Sequence, residues 1–212
     1  PGHGGKDVGA SHFGLHEKHL TLDIARSLRE ELERVGLRVV MTRESDRFIP
    51  LRDRPGVANR LEASLFVSVH VNANRSPRVF GAEVYYPRES VVSPAAPWPP
   101  SVQASEVDAT STVARQVLWD LVLGRTRLSS RRLAAAVCGT LKEELRVRCT
   151  VKSARFAVLR EARMPSVLVE VGYVSNRAES ERLSREAYRR AAARAIARGI
   201  VSYVRALGTQ HI

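Results

Sequence analysis

Four short segments of this chain set a metal-capable or ionisable side chain among glycine or apolar neighbours. His3 lies in Pro1-Gly2-His3-Gly4-Gly5, Glu17 heads an amphipathic helix, His70 ends Leu65-Phe66-Val67-Ser68-Val69-His70, and Glu170 interrupts Val167-Leu168-Val169-Glu170-Val171. Two imidazoles and two carboxylates aimed inward are costly to bury unless a cation or a reaction uses them. His3, Glu17 and His70 make a donor set suited to a catalytic zinc, which takes three protein ligands and keeps a position for water. Glu170 is then available to accept a proton from water and pass it to a leaving amine. The chemistry expected is metal-assisted hydrolysis.

Each residue also has a plain structural reading. A histidine among glycines is a common turn residue, and a glutamate in a helix's first turn is favoured by the macrodipole. His70 alone reads equally as a hydrogen-bonded core histidine, and Glu170 as a buried ion-pair partner of Arg160 or Arg163. His12, His16 and His19 sit at metal-friendly spacing, but the apolar stripe selects Glu17 over its neighbour His16. The four residues carry weight through their order and context together.

The elements that must position them follow from periodicity. A helix is expected from about 15 to 35, with Leu20, Ile24, Leu28 and Leu32 on one stripe and Glu17 close to it in phase. Gly36 ends it, and 37–41 reads as a short strand. A helix is expected over 51–63, then strands at 65–71 and 82–86. In the first of these, Phe66, Ser68, His70 and Asn72 share one face. Residues 88–111 are rich in Pro, Ser and Ala and read as a loop insertion. Helices at about 113–123 and 129–145, strands at about 151–159 and 166–171, and a helix at about 186–206 complete the chain. This alternation predicts an α/β layered domain with a largely parallel sheet, whose ligands gather at the carboxyl ends of strands.

The 212 residues, 44% hydrophobic and 26% charged, suit a single globular domain, and no apolar run is long enough to span a bilayer. The formal charge of +12 implies an anionic partner or surface, although the arginines of 182–198 read mainly as a solvated helix face. No nucleic-acid motif accompanies them. Cys138 and Cys149 form no metal-binding pair and are expected as two buried thiols rather than a disulfide.

In this order the motifs resemble the zinc-dependent N-acetylmuramoyl-L-alanine amidases, which trim bacterial peptidoglycan. PGHGGKDVGA resembles that family's loop with the first zinc histidine, and GLHEKHLTLDIARSL its first helix with the zinc glutamate. VMTRESDRFIPLRDR with Ala58-Asn59, SLFVSVHVNAN and PSVLVEVGYVSN match the segments that follow, nearly to the end of the chain. The resemblance implies Zn²⁺ held by His3, Glu17 and His70, with Glu170 as general base. It implies hydrolysis of the amide joining the lactyl group of N-acetylmuramic acid to L-Ala of the stem peptide. It also implies a twisted, mostly parallel sheet of about six strands with helices on both faces. The family's apolar strand before the glycine loop is missing here, so the first strand is expected to be truncated.

Some Gram-negative relatives carry, at the position of 88–127, a helix that plugs the active site until an activator protein removes it. The same segment is expected here either as a partly autoinhibitory element, with Glu106 able to reach a metal, or as a surface loop with a docked helix. The substrate implies a periplasmic or extracellular location and a role in cell-wall degradation, including during cell division. Two other readings stay open. One is a different zinc peptidase acting on stem peptides, for which Arg54 would have to clamp a free carboxylate. The other is a non-catalytic module that binds peptidoglycan.

Overall fold

The computed structural model describes residues 1–88 and 112–208. In chain order the elements are β1 (Ser11–His12), β2 (Leu15–His16), α1 (Glu17–Glu33), α2 (Asp53–Arg60), β3 (Phe66–Asn72) and β4 (Ala82–Pro87). Next come α3 (Thr112–Leu145), β5 (Cys149–Ala154), α4 (Ala157–Arg160), β6 (Ser166–Tyr173), α5 (Arg177–Ser184) and α6 (Glu186–Gly208).

The fold is α/β, but the sheet departs from expectation. Among the described residues it has four strands in the order β3-β6-β4-β5, and it is mixed: β3 runs parallel to β6, β4 parallel to β5, and β4 antiparallel to β6. A separate β1-β2 hairpin precedes α1. Residues 37–41 form no strand. They line a groove of about 530 Å³ together with Val67 and Val69 of β3 and belong to neither sheet. A segment without a ladder partner remains a loop.

The valines of β3 and β6 that alternate with the site residues enter the main core. Val69, Val71, Val167, Val169 and Val84 pack there with Leu20, Ile24 and Leu28 of α1, Leu133 and Val137 of α3, and Ile196 of α6. Each such buried side chain contributes about 1.5–3 kcal/mol. The opposite sheet face meets a smaller cluster from α2, α4 and the loop before β6, including Ala58, Leu159 and Met164 around Phe66 and Leu168. The main core thereby anchors the strands from behind. The sparsely covered face is left to carry polar groups.

Three smaller expectations are corrected. The two helices expected at 113–123 and 129–145 are one helix, α3, because an internal Gly124 costs only about 1 kcal/mol relative to alanine. The strand expected to reach 159 stops at Ala154, and Val158 and Leu159 turn inward from the short α4. Cys138 and Cys149 are joined in a disulfide that ties α3 to the start of β5, with Cα atoms 5.6 Å apart. Helix α5, unforeseen, begins where Asn176 caps the amide of Glu179. Glu106 and the loop of 89–111 lie outside the described residues.

Candidate metal and hydrolase site

The glycine loop, the first turn of α1 and the end of β3 converge. One ligand atom each from His3, Glu17 and His70 lies within 4.8 Å of the others. The Glu17 carboxylate bridges the two imidazoles, with Oε2 3.1 Å from Nε2 of His3 and Oε1 2.9 Å from Nδ1 of His70. It also accepts the backbone N–H groups of Ala10 and Val71, at 2.8 and 3.0 Å. Burial opposes an ionised Glu17, but the hydrogen bonds from His3 and His70 outweigh it and hold its carboxyl far below the usual range. Burial pushes His70 down, towards the neutral form a metal requires.

The glycines act by what they leave out. A Cβ on Gly2 would lie 2.4 Å from the His70 ring, and one on Gly9 would lie 2.6 Å from Glu17 Oε2. Side chains there would occupy the space where the donors meet. His3 itself has φ +55°, a left-handed conformation uncommon outside glycine. Two contacts hold it so. Its Nδ1 pairs with Asp7 Oδ1 at 2.8 Å, and its carbonyl accepts from Arg54 Nη2 at 3.2 Å. Pairing of Nδ1 with a carboxylate leaves Nε2 as the free donor and makes the ring more basic. Burial disfavours the charged ring, but Glu17 and Asp7 prevail and raise its pKa.

Arg54 is 2% exposed and also donates to the carbonyl of Ile49. It is occupied inside the protein, so it offers no clamp for the free carboxylate of a peptide end. Arg43, fully buried, likewise donates to the carbonyls of Gly2 and Lys18 and braces the loop from the other side. The decoy histidines His12, His16 and His19 are all exposed.

Glu170 stands beside this cluster. It is the Cα partner of His70 across the β3-β6 ladder, so both side chains emerge on the same sheet face. Its Oε2 is buried without a hydrogen-bond partner. Burial, then the charges of Glu17 and Glu83, push its pKa well above the usual carboxylate range. Neither Arg160 nor Arg163 neutralises it. An unpaired carboxylate next to two imidazoles and the Glu17 carboxylate is suited to acid–base work.

The donors fit zinc: two nitrogen ligands, one carboxylate oxygen, and a fixed hydrogen-bond partner for His3. Sequence reasoning missed Asp7 and Glu83. Asp7 follows His3 by only four positions within a polar loop, where nothing marks it out. Glu83 carried a signal, a carboxylate in the otherwise apolar strand Ala82-Glu83-Val84-Tyr85. The arginines of the C-terminal helices are largely paired with local acids, as Arg189 with Asp23, Arg190 with Glu186 and Arg198 with Glu144.

The family profile of N-acetylmuramoyl-L-alanine amidases matches residues 1–202. The N-acetylmuramoyl-L-alanine amidase AmiC of Neisseria meningitidis serogroup B is 40% identical over 215 residues, covering 96% of this chain and 51% of that protein. The chain thus spans about half the length of this relative. Among solved structures, the amidase AmiC2 of Nostoc punctiforme superposes with a TM-score of 0.76 at 34% identity, covering 97% of this chain and 94% of that one. The CwlD amidase of Clostridioides difficile, solved in complex with the GerS lipoprotein, gives a TM-score of 0.76 at 26% identity, covering 97% and 95%.

Proposed function

Because this chain belongs to the N-acetylmuramoyl-L-alanine amidase family, we propose that it is a zinc-dependent peptidoglycan hydrolase. It cleaves the amide between the lactyl group of N-acetylmuramic acid and L-Ala of the stem peptide. The observation that carries this reading is the juxtaposition of the His3–Glu17–His70 donors with the unpartnered Glu170 on the adjoining strand.

His3, Glu17 and His70 would hold the ion, and zinc bound there supplies Lewis acidity toward a water and the scissile carbonyl. Glu170 accepts the proton that the attacking water gives up as its oxygen adds to the carbonyl carbon. It returns that proton to the L-Ala nitrogen as the C–N bond breaks, so that the amine leaves neutral. Its lack of a partner on Oε2 leaves it free to take up the proton and pass it on. Asp7 fixes the tautomer of His3, and Arg54 fixes the backbone that aims it.

The substrate places the enzyme in the periplasm or outside the cell, and the Cys138–Cys149 disulfide suits an oxidising compartment. No described helix is long and apolar enough to cross a membrane. The segment 88–127 is proposed as the regulatory element, acted on by a protein activator. A protein partner has a parallel in CwlD, which is bound to the GerS lipoprotein in its solved structure.

Metal content tests the assignment of ligands. After chelation and reloading, elemental analysis is expected to give one zinc per chain, lost in His70→Ala and retained in Glu170→Gln. Loss of zinc in Glu170→Gln with retention in His70→Ala would reverse the roles given to these residues.

A further inference from the structure

One row across the exposed sheet face carries three chemically active side chains. His70 on β3 is the register partner of Glu170 on β6, and Glu170 is in turn the partner of Glu83 on β4. The two glutamates are therefore immediate neighbours with side chains on one face. Their surroundings differ. Glu83, 9% exposed, takes a hydrogen bond from the Tyr85 hydroxyl on Oε2 and an ion pair from Lys152 on Oε1. Glu170 has none of these, and its Oε2 lies buried with no partner.

Lys152 and Tyr85 are thus both directed at Glu170's neighbour. Lys152 belongs to β5, where it is the register partner of Tyr85 on β4, and its side chain pairs with Glu83 on that same neighbouring strand, one strand short of Glu170. Its side chain is 45% exposed, so its ammonium keeps donors that are not spent on Glu83. A buried carboxylate with no partner takes up any cation that comes within reach, because pairing recovers the cost of its desolvation. A lysine bonded to Glu170 would occupy the lone pairs that must receive the proton.

We propose that Glu83 is a positioning residue that keeps Lys152 and Tyr85 engaged and so holds Glu170 free to act as the base. This rests on the amidase reading of Glu170. Glu83 makes no hydrogen bond to His3, Glu17 or His70; it acts through Lys152.

The test uses the zinc-loaded full chain and soluble muramyl-peptide fragments, with kcat, KM and zinc affinity measured for Glu83→Ala, Lys152→Met and the double variant. In Glu83→Ala, released Lys152 turns to Glu170. There kcat falls at least about tenfold, with KM and zinc affinity within about twofold of wild type. Removing Lys152 as well restores kcat to within about threefold of wild type, a rescue that a purely structural role does not give. A Glu83→Ala rate within about twofold of wild type, or a double variant no faster than the single one, overturns the proposal. If Glu83→Ala fails to fold by circular dichroism, Glu83→Gln with and without Lys152→Met makes the same comparison. Failure of the amidase reading itself looks different: wild-type enzyme then releases no peptide at all.

Discussion

His3 Nδ1 stands 2.8 Å from Asp7 Oδ1, and this pairing turns the opposite nitrogen of the ring towards Glu17. Asp7 also accepts the N–H of Gly9, so it fixes the loop as well as the tautomer. Carboxylates in this position behind a metal histidine are worth about 10–100-fold in metal affinity. Asp7→Ala is expected to weaken zinc binding by that factor, measured by competition with a chromophoric chelator. Unchanged affinity would show that Arg54 alone orients His3.

Glu170 gives a stability prediction with a definite sign. Burial, reinforced by Glu17 and Glu83, raises its pKa in the folded protein above the unfolded value. The fold therefore favours the protonated carboxyl, and stability is lost as pH rises from the ordinary carboxylate range through the raised pKa. In metal-free protein, Glu170→Gln is expected to melt at the wild-type temperature in acid and above it at neutral pH. At this chain length each kcal/mol is worth about 2–4 °C. A variant that melts lower than wild type at neutral pH would contradict the burial argument.

The disulfide closes a loop of sequence separation 11 between α3 and β5, with both cysteines buried in the main core. By chain entropy such a loop contributes about 2–3 kcal/mol. Cys138→Ser with Cys149→Ser is expected to lower the denaturant midpoint accordingly, and unreduced, denatured wild-type protein to show no free thiol. Two titratable thiols in wild-type protein from an oxidising compartment would contradict the pairing.

Much of this was legible in the residues themselves. The strands around His70 and Glu170 announce themselves because valines alternate with the site residues, and the same alternation puts both polar groups on one face. His3, Glu17, His70 and Glu170 stood out because burial makes idle charge expensive there. The direction of β4 was not legible, since a strand's apolar pattern is the same whichever way it runs beside its neighbour. The strand expected at 37–41 failed for a related reason: local pattern makes a segment extended, but only a partner makes it part of a sheet. Asp7 and Glu83 gain their meaning from a bent loop and from ladder register. The cysteine pair depended on how close α3 and β5 pack, which spacing alone does not reveal.

The central claim is that this chain cuts one particular amide with a metal held by His3, Glu17 and His70. Its most direct test is digestion of purified peptidoglycan, with and without a chelator, followed by mass-spectrometric identification of the new termini. Free stem peptides beginning at L-Ala are expected, abolished by chelation, restored by zinc, and absent with Glu170→Gln. Peptidoglycan that is bound but left uncut, or cut within the stem peptide with the lactyl amide intact, would contradict it.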